Sequence, residues 1–148
     1  MKNRFVDTMP MKGRFRLRAY RAGKLVETWE DKNLIVDGAR RAAAELIAGV
    51  GTGKHIAGIA FGTRAAAPTP DDTEITEAFV KKLDGVTFPL PGQACFSWRL
   101  DASEANGMDI IEFGLLTEDG TLWARKVREK AIPKAGDIAL EGEWIISH

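Results

Sequence analysis

Residues 33 to 73 read NLIVDGARRAAAELIAGVGTGKHIAGIAFGTRAAAPTPDDT, and this stretch decides the fold. An apolar strand end leads into an alanine-rich segment, a glycine loop, a second apolar run and a proline-rich connection. Asp37 is the predicted N-cap of one short helix over about residues 38–48. Gly49 or Gly51 is expected to end it in the left-handed conformation. The helix is too short to be stable alone and must dock on a sheet. Its predicted apolar face consists of Ala39, Ala42 or Ala43, Leu46 and Ile47.

Alternating apolar and polar residues flank this stretch on both sides and predict strands. Residues 73–84 fit either a helix turn or a strand, and a strand around 78–83 is favoured. The fold is therefore predicted to be mainly β: an antiparallel β-sandwich or open barrel with one short α-helix packed on it. Residues 1–11 are predicted to be an N-terminal arm or extension, and residues 12–148 a single domain. The other predicted strands cover residues 12–20, 25–36, 55–62, 93–100, 108–116, 121–127 and 138–147.

Composition excludes several classes of function. The chain has 148 residues, a formal net charge of zero and one cysteine. Zero net charge gives no long-range field for gripping DNA, and a lone Cys95 is expected to be a structural thiol. No apolar run reaches the roughly 18 residues that a membrane helix needs, and no export signal is visible. We therefore expect no nucleic acid partner, no membrane insertion, and synthesis in the cytoplasm.

The strand that begins at Lys12 has a basic outer face, formed by Arg14, Arg16 and Arg18. Such a face can meet nucleic acid or an acidic protein surface. A solvated strand face balanced by acids elsewhere in the chain is favoured.

The string GVGTGKH at residues 49–55 invites comparison with a phosphate-binding loop. Its spacing is one residue short, and His55 stands where a magnesium-binding hydroxyl is needed. The loop is also predicted to follow a helix and enter a strand, which is the reverse of a phosphate loop. Nucleotide binding is therefore not expected.

No catalytic, cofactor-binding or metal-binding residues are predicted. His55 and His148 are too few for a zinc site, and a hydrolase would need His55, an acid and a hydroxyl to converge. Asp71 and Asp72 are adjacent in an extended segment, so their side chains should point apart. Residues 101–107 faintly resemble a calcium loop but lack its closing glutamate, and a plain turn is favoured. Four tryptophans can serve either as a sugar-stacking platform or as core, and core is favoured: Trp29, Trp98, Trp123 and Trp144.

Two groups of motifs resemble a family of small tail proteins of bacteriophages and prophages. The first is NLIVDGARRAAAELIAG followed by HIAGIAFGTRAAAPTPDDTEI, and the second is EANGMDIIEFGLLTEDGTLWARK. Their similar features are an Asn-Leu-Ile strand end before a short helix, a Phe-Gly-Thr strand end before Ala-Pro and Asp-Thr steps, and an Ile-x-Glu-Phe-Gly-Leu hairpin ending in an aromatic residue and Ala-Arg. The resemblance covers about residues 33–146 and leaves the basic N-terminal residues outside it.

The resemblance implies a non-enzymatic structural role in the virion, at the tail tip, the baseplate or the tail-fibre attachment. The expected partners are other tail, baseplate or tail-fibre proteins, together with further copies of the same chain in a homo-oligomer. The best contact candidates are the N-terminal arm and the loop of residues 64–72. The alternative is a receptor- or carbohydrate-binding module that uses exposed tryptophans.

Overall fold

The structure is a computed structural model that describes residues 11–148. This part of the chain is mainly β with one short helix, as predicted. Apart from Met11, the predicted N-terminal arm lies outside the described residues. In chain order the elements are β1 (Lys12–Arg21), β2 (Lys24–Ile35), α1 (Asp37–Ile47), β3 (Ile56–Gly62), β4 (Phe79–Lys82), β5 (Gly85–Thr87), β6 (Gln93–Leu100), β7 (Asp109–Thr117), β8 (Leu122–Pro133) and β9 (Ile138–Ser147).

The strands form one antiparallel sheet in the order β4-β3-β7-β8-β2-β1-β9-β6-β5. The sheet curls into a half-barrel. Aromatic rings from strands far apart in this order meet inside it: the ring centroids of Phe61 on β3 and Trp98 on β6 are 5.6 Å apart. The predicted antiparallel sandwich or open barrel is confirmed.

The joint between β2 and β8 has the fewest paired residues of any in the sheet. These strands share only two residue pairs, at the end of β2. Side chains connect them elsewhere: Lys126 Nζ lies 2.7 Å from Asp31 Oδ2, and Arg128 Nη2 lies 2.9 Å from Glu27 Oε2. The Arg128 guanidinium also lies 5.0 Å from the ring centroid of Trp29, a cation–π distance. The two halves of the sheet are thus joined largely by side chains here.

A single segment touches both outer edges of the sheet. β4 pairs with β3 at one edge, and β5 pairs with β6 at the other. Between them the Leu83 N–H donates to the Ala57 carbonyl of β3 at 3.1 Å, and the Asp84 N–H donates to the Ser97 carbonyl of β6 at 2.8 Å. Adjacent residues therefore bridge the two edges and hold the half-barrel curled.

Aromatic side chains fill the interior. Phe15 lies at the centre, with ring centroids of Phe113 and Trp144 at 4.7 Å. Trp98, Trp123 and Trp144 are all buried, and Trp29 is half-buried. The predicted core role of the tryptophans is confirmed for the three buried ones.

The helix differs from its predicted form at both ends. Asp37 is its first residue and Val36 is the N-cap, with no side-chain cap, so the predicted N-cap is wrong. Backbone contacts fix this end instead: the Val36 N–H donates to the Trp123 carbonyl and the Asp37 N–H to the Pro70 carbonyl. At the other end Gly49 adopts a φ of 77° and donates to the Leu46 carbonyl, which confirms the predicted left-handed stop.

The predicted apolar face of the helix is only half correct. Ala39 and Ala42 are buried, and Ala43 packs on the core. Leu46 is 41% exposed and Ile47 is 88% exposed, so the second half of the predicted face does not pack on the core. Within residues 11–148, no helix is long and apolar enough to cross a membrane.

The strands differ from the prediction at two places, β5 and the end of β8. A strand inside residues 78–83 is confirmed as β4, whereas β5 was not predicted. β8 continues to Pro133, beyond its predicted end at Val127. The structure contains an irregular register between β7 and β8 there, and this breaks the alternation on which the prediction depended. Cys95 is half-buried, as expected of a structural thiol.

Candidate functional site

Two charged side chains lie buried beside each other on neighbouring strands. Glu112 on β7 and Arg125 on β8 are both 0% exposed, and Arg125 Nε donates to Glu112 Oε1 at 2.9 Å. A buried charge is tolerated only when it is paired and hydrogen-bonded. This pair therefore requires further partners.

The segment between β3 and β4, residues 63–78, supplies those partners and is called the proline loop below. Glu112 Oε2 accepts the backbone N–H of Arg64 at 2.7 Å and that of Thr76 at 3.2 Å. One carboxylate oxygen thus binds the beginning and the end of the proline loop. The loop is held down on the outer face of β7 and β8.

Arg125 binds the proline loop at two more points with its two remaining nitrogens. Nη1 donates to Asp72 Oδ2 at 3.1 Å, and Nη2 donates to the Arg64 carbonyl at 3.1 Å. Asp72 also accepts the Thr69 N–H at 2.9 Å, which stabilises a tight turn around the prolines. Glu112, Arg125, Asp72 and Arg64 are called the ion cluster below.

The protonation of Asp72 depends on these contacts. Its side chain is 10% exposed, and burial alone would raise its pKa. Hydrogen bonds from Thr69 and the positive charge of Arg125 outweigh burial and lower the pKa below its ordinary value of 3.8. Asp72 therefore remains ionised at neutral pH and balances Arg125 together with Glu112.

An apolar anchor lies beside the ion cluster. Ile75 of the proline loop is buried in a small hydrophobic cluster with Val36, Ala60 and Leu122. A Cβ atom on either Gly62 or Gly114 would overlap the Ile75 side chain. These glycines of the Phe-Gly motifs are thus required by close approach of the loop to the sheet.

The ion cluster is suited to holding the proline loop and not to chemistry. Both oxygens of Glu112 and all three nitrogens of Arg125 are engaged in hydrogen bonds. Neither side chain is accessible to a substrate. Within residues 11–148, no group of three or more His, Cys, Asp or Glu side chains is placed to hold a metal ion.

Sequence reasoning did not single out the ion cluster. Glu112 and Arg125 entered only as letters of the motifs, and Asp72 was considered only as half of an acid pair. A signal was present nonetheless: Glu112 interrupts an apolar run between Ile111 and Phe113. A charge inside such a run predicts a buried partner, although the sequence does not say which one.

The glycine loop at residues 49–55 does not form a phosphate site. Lys54 Nζ lies 2.8 Å from Asp119 Oδ2 and donates to Thr121 Oγ1 at 3.3 Å. The hydrogen bond that Lys54 donates to the Asp119 carboxylate raises the pKa of Lys54 and lowers the pKa of Asp119. The predicted order of helix, loop and strand is confirmed.

His55 has an exposed side chain and lies 3.9 Å from Glu118. It is not part of a group of a histidine, an acid and a hydroxyl.

The turn of residues 101–107 encloses a lysine ammonium. Lys134 is 2% exposed, and its Nζ donates to Asn106 Oδ1 at 2.9 Å and to the Ala102 carbonyl at 3.1 Å. Burial lowers the pKa of Lys134, against the opposing pull of nearby acids such as Glu104. Residues 101–107 thus form a turn, as favoured from the sequence. Its oxygens bind the Lys134 ammonium.

The basic face of β1 is paired with acids, as favoured from the sequence. Arg14 and Arg16 both contact Glu30 of β2. Arg18 Nη2 lies 2.6 Å from Glu143 of β9, whose carboxylate raises the pKa of Arg18. The positive charges on the outer face of β1 are thus paired with carboxylates of the neighbouring strands β2 and β9.

In the described part of the chain, exposed surfaces that could bind a partner include the tip of the proline loop and the two outer strands. Ala65, Ala66 and Ala67 at the tip are exposed. Val80 on β4 and Val86 on β5 are about half exposed, at 54% and 46%. Outer strands with apolar side chains are suited to pairing with another chain.

No protein-family model matches the chain, and no curated protein or solved structure is detectably similar to it. The resemblance to phage tail proteins therefore depends on the motifs quoted above.

We expect the buried ion pair to show strong coupling. Arg125→Met should lower the free energy of unfolding by about 3–5 kcal/mol, because it leaves Glu112 buried without its cation. Adding Glu112→Gln removes the unpaired buried charge. The free energy of unfolding of the double variant should therefore fall by less than the sum of the decreases in the two single variants. Urea denaturation of all four proteins gives the coupling energy.

The matched control is Arg21→Met, because Arg21 pairs with the half-exposed Asp137. This substitution should cost at most about 1 kcal/mol. Additive losses from Arg125→Met and Glu112→Gln would contradict the pairing.

A second prediction concerns Asp72 and the free energy of unfolding at low pH. Its pKa is lowered in the folded state, so its contribution is present above its ordinary pKa of 3.8 and is lost as the pH falls through the lowered value. Asp72→Asn should therefore be less stable than wild type at pH 7, by about 1–3 kcal/mol. The difference should shrink as the pH falls below 3.8. Urea denaturation across this range measures it.

Asp71→Asn removes a neighbouring carboxylate that does not touch Arg125, and it controls for the change in net charge. A gap between wild type and Asp72→Asn that stays constant down to low pH would refute the role of the Asp72 charge.

Proposed function

We propose that this protein is a non-enzymatic structural component of a phage tail, at the baseplate or the tail-fibre attachment. It acts through contacts with other tail proteins and with further copies of itself. Its place is the virion, after synthesis in the host cytoplasm. The proposal starts from the resemblance in the motifs of residues 33–146.

One observation carries the proposal further: the motif residues meet at one place and hold one loop. The Phe-Gly-Thr strand end, the Asp-Thr step and the Glu-Phe-Gly hairpin supply Gly62, Asp72, Glu112 and Gly114, which all contact the proline loop or belong to it. Residues required for holding a surface loop favour a protein that works by presenting that loop. The exposed tip at residues 65–67 is then the natural contact surface.

The outer strands support the same proposal. β4 and β5 each pair with one neighbour and carry half-exposed valines. Assembly with a neighbouring subunit would cover such edges. The alternative of a carbohydrate-binding module gains no support, because Trp98, Trp123 and Trp144 are buried and cannot stack on a sugar.

Association with tail proteins tests the proposal. Each candidate tail protein from the same genome is mixed with this protein, and the mass of the mixture is measured by light scattering after gel filtration. We expect a stable complex with at least one of them and the presence of this protein in purified virions by mass spectrometry. A protein that is absent from virions and binds none of them would refute the proposal.

Two variants locate the contact. Ala66→Glu places a charge at the tip of the proline loop, and Ala131→Glu places the same charge on an exposed position of β8. Both should melt close to wild type, since both sites are exposed. Weaker binding by Ala66→Glu alone is the expected result, and equal effects of the two would argue against the tip as the contact.

A further inference from the structure

The Lys134 side chain is buried among oxygens of neutral groups. It is 2% exposed, and its Nζ donates to Asn106 Oδ1 at 2.9 Å, to the Ala102 carbonyl at 3.1 Å and to the Ala135 carbonyl at 3.3 Å. A carboxamide and two peptide carbonyls carry no charge, so none of these groups neutralises an ammonium. A buried charge is costly unless an opposite charge pairs with it. The contacts of this lysine thus lack the counter-charge that a buried ammonium needs.

Acids near Lys134 oppose the effect of burial only in part. Glu104, Asp101 and Asp137 act on the lysine through their charges. The Glu104 carboxylate is engaged elsewhere, since its Oε1 lies 2.6 Å from Lys81 Nζ and accepts the Asp101 N–H at 2.8 Å. Burial outweighs the acids and lowers the pKa of Lys134 below its ordinary value of 10.5. The neutral amine, which is the nucleophilic form of lysine, is therefore more populated here than on an exposed lysine.

Backbone hydrogen bonds hold this amine against the Asn106 side chain. The Gly107 N–H donates to the Lys134 carbonyl at 2.9 Å, and the Lys134 N–H donates to the Met108 carbonyl at 2.9 Å. These two bonds continue the ladder between β7 and β8. Groups held at contact distance by a fixed backbone react as if each were at very high concentration. The fold thus fixes an amine beside the carbonyl of a carboxamide.

The Asn106 carboxamide can take up the amine and release ammonia. Its carbonyl carbon, Cγ, is bonded to Oδ1, the atom that contacts Nζ, and to the amide nitrogen Nδ2, which can leave. The residue is exposed, so ammonia can escape into solvent. The other two oxygens around the lysine belong to peptide carbonyls, and attack there would break the chain. Asn106 is therefore the acceptor that the contacts favour.

We propose that Lys134 and Asn106 join in an intramolecular isopeptide bond, which the folded chain forms by itself. The Nζ of the neutral amine attacks Cγ of Asn106, the Nζ–Cγ bond forms, and the Cγ–Nδ2 bond breaks. One proton of the amine passes to Nδ2, which leaves as ammonia, and no oxidant, reductant or further reactant is consumed. The bond ties the turn of residues 101–107 to the end of β8. The proposal concerns the single chain and does not depend on the role in a phage tail.

Mass spectrometry of the purified full chain tests the proposal. We expect an intact mass that is lower than the mass of the sequence by one ammonia, also after boiling in denaturant. Trypsin cuts after lysine and arginine, so it should release residues 100–125 joined to residues 131–148 as one branched peptide, uncut after Lys134. An intact mass equal to that of the sequence after prolonged incubation of the folded protein would overturn the proposal.

A second reaction also releases ammonia and has to be separated from the first. The Gly107 nitrogen can close a succinimide ring on the Asn106 side chain. Lys134→Met removes the amine, so this variant should keep the full mass of its own sequence. Lys54→Met is the matched control, because Lys54 Nζ also donates to a side-chain oxygen, Thr121 Oγ1 at 3.3 Å, but that oxygen belongs to a hydroxyl. This control should still lose ammonia.

Two outcomes decide between the reactions. Loss of ammonia that persists in Lys134→Met, without a branched peptide in the wild type, would indicate the succinimide and would overturn the proposal. If Lys134→Met fails to fold, the branched peptide of the wild type decides, and Asn106→Ser, a change at an exposed position, should abolish it. Absence of the isopeptide bond would leave the phage-tail proposal standing, because that proposal is tested by binding to tail proteins.

Discussion

The structure depends on a buried ion pair that cannot exist without the loop above it. Glu112 and Arg125 are completely removed from water, and their mutual contact uses only one oxygen and one nitrogen. The desolvation cost of the remaining atoms is offset only if other groups bind them. The proline loop supplies two N–H groups, one carbonyl and the carboxylate of Asp72. The sheet and the loop therefore require each other.

The same loop connects the ion cluster to the helix. The Pro70 carbonyl accepts the Asp37 N–H at the first residue of the helix, at 2.7 Å. Ile75 lies between Gly62 and Gly114 on the face of the sheet opposite the aromatic core. The helix start, the proline loop and the sheet are thus fixed together at one place. The proline loop is thus attached to the sheet on both sides of its tip.

The sequence predicted the elements better than it predicted their contacts. Strands such as β6 and β9 were placed to the residue, because alternation follows directly from one buried face. The helix N-cap was wrong because Val36 and Asp37 are fixed by carbonyls of Trp123 and Pro70, which are far away in sequence. β5 was missed because three residues give too short a pattern to detect. The ion cluster joins β7, β8 and the proline loop, and no local pattern encodes such a meeting.

Hydrogen exchange at two backbone amides tests the central claim most directly. The Arg64 and Thr76 N–H groups lie in a loop without regular structure, yet both donate to the buried Glu112 carboxylate. Residue-resolved NMR exchange should find both amides strongly protected in the wild type, and Arg125→Met should accelerate both together while the Phe61 amide of β3 stays slow. Exchange of Arg64 and Thr76 at the rate of an exposed loop in the wild type, or exchange unchanged by Arg125→Met, would contradict the claim that the ion cluster holds the proline loop on the sheet.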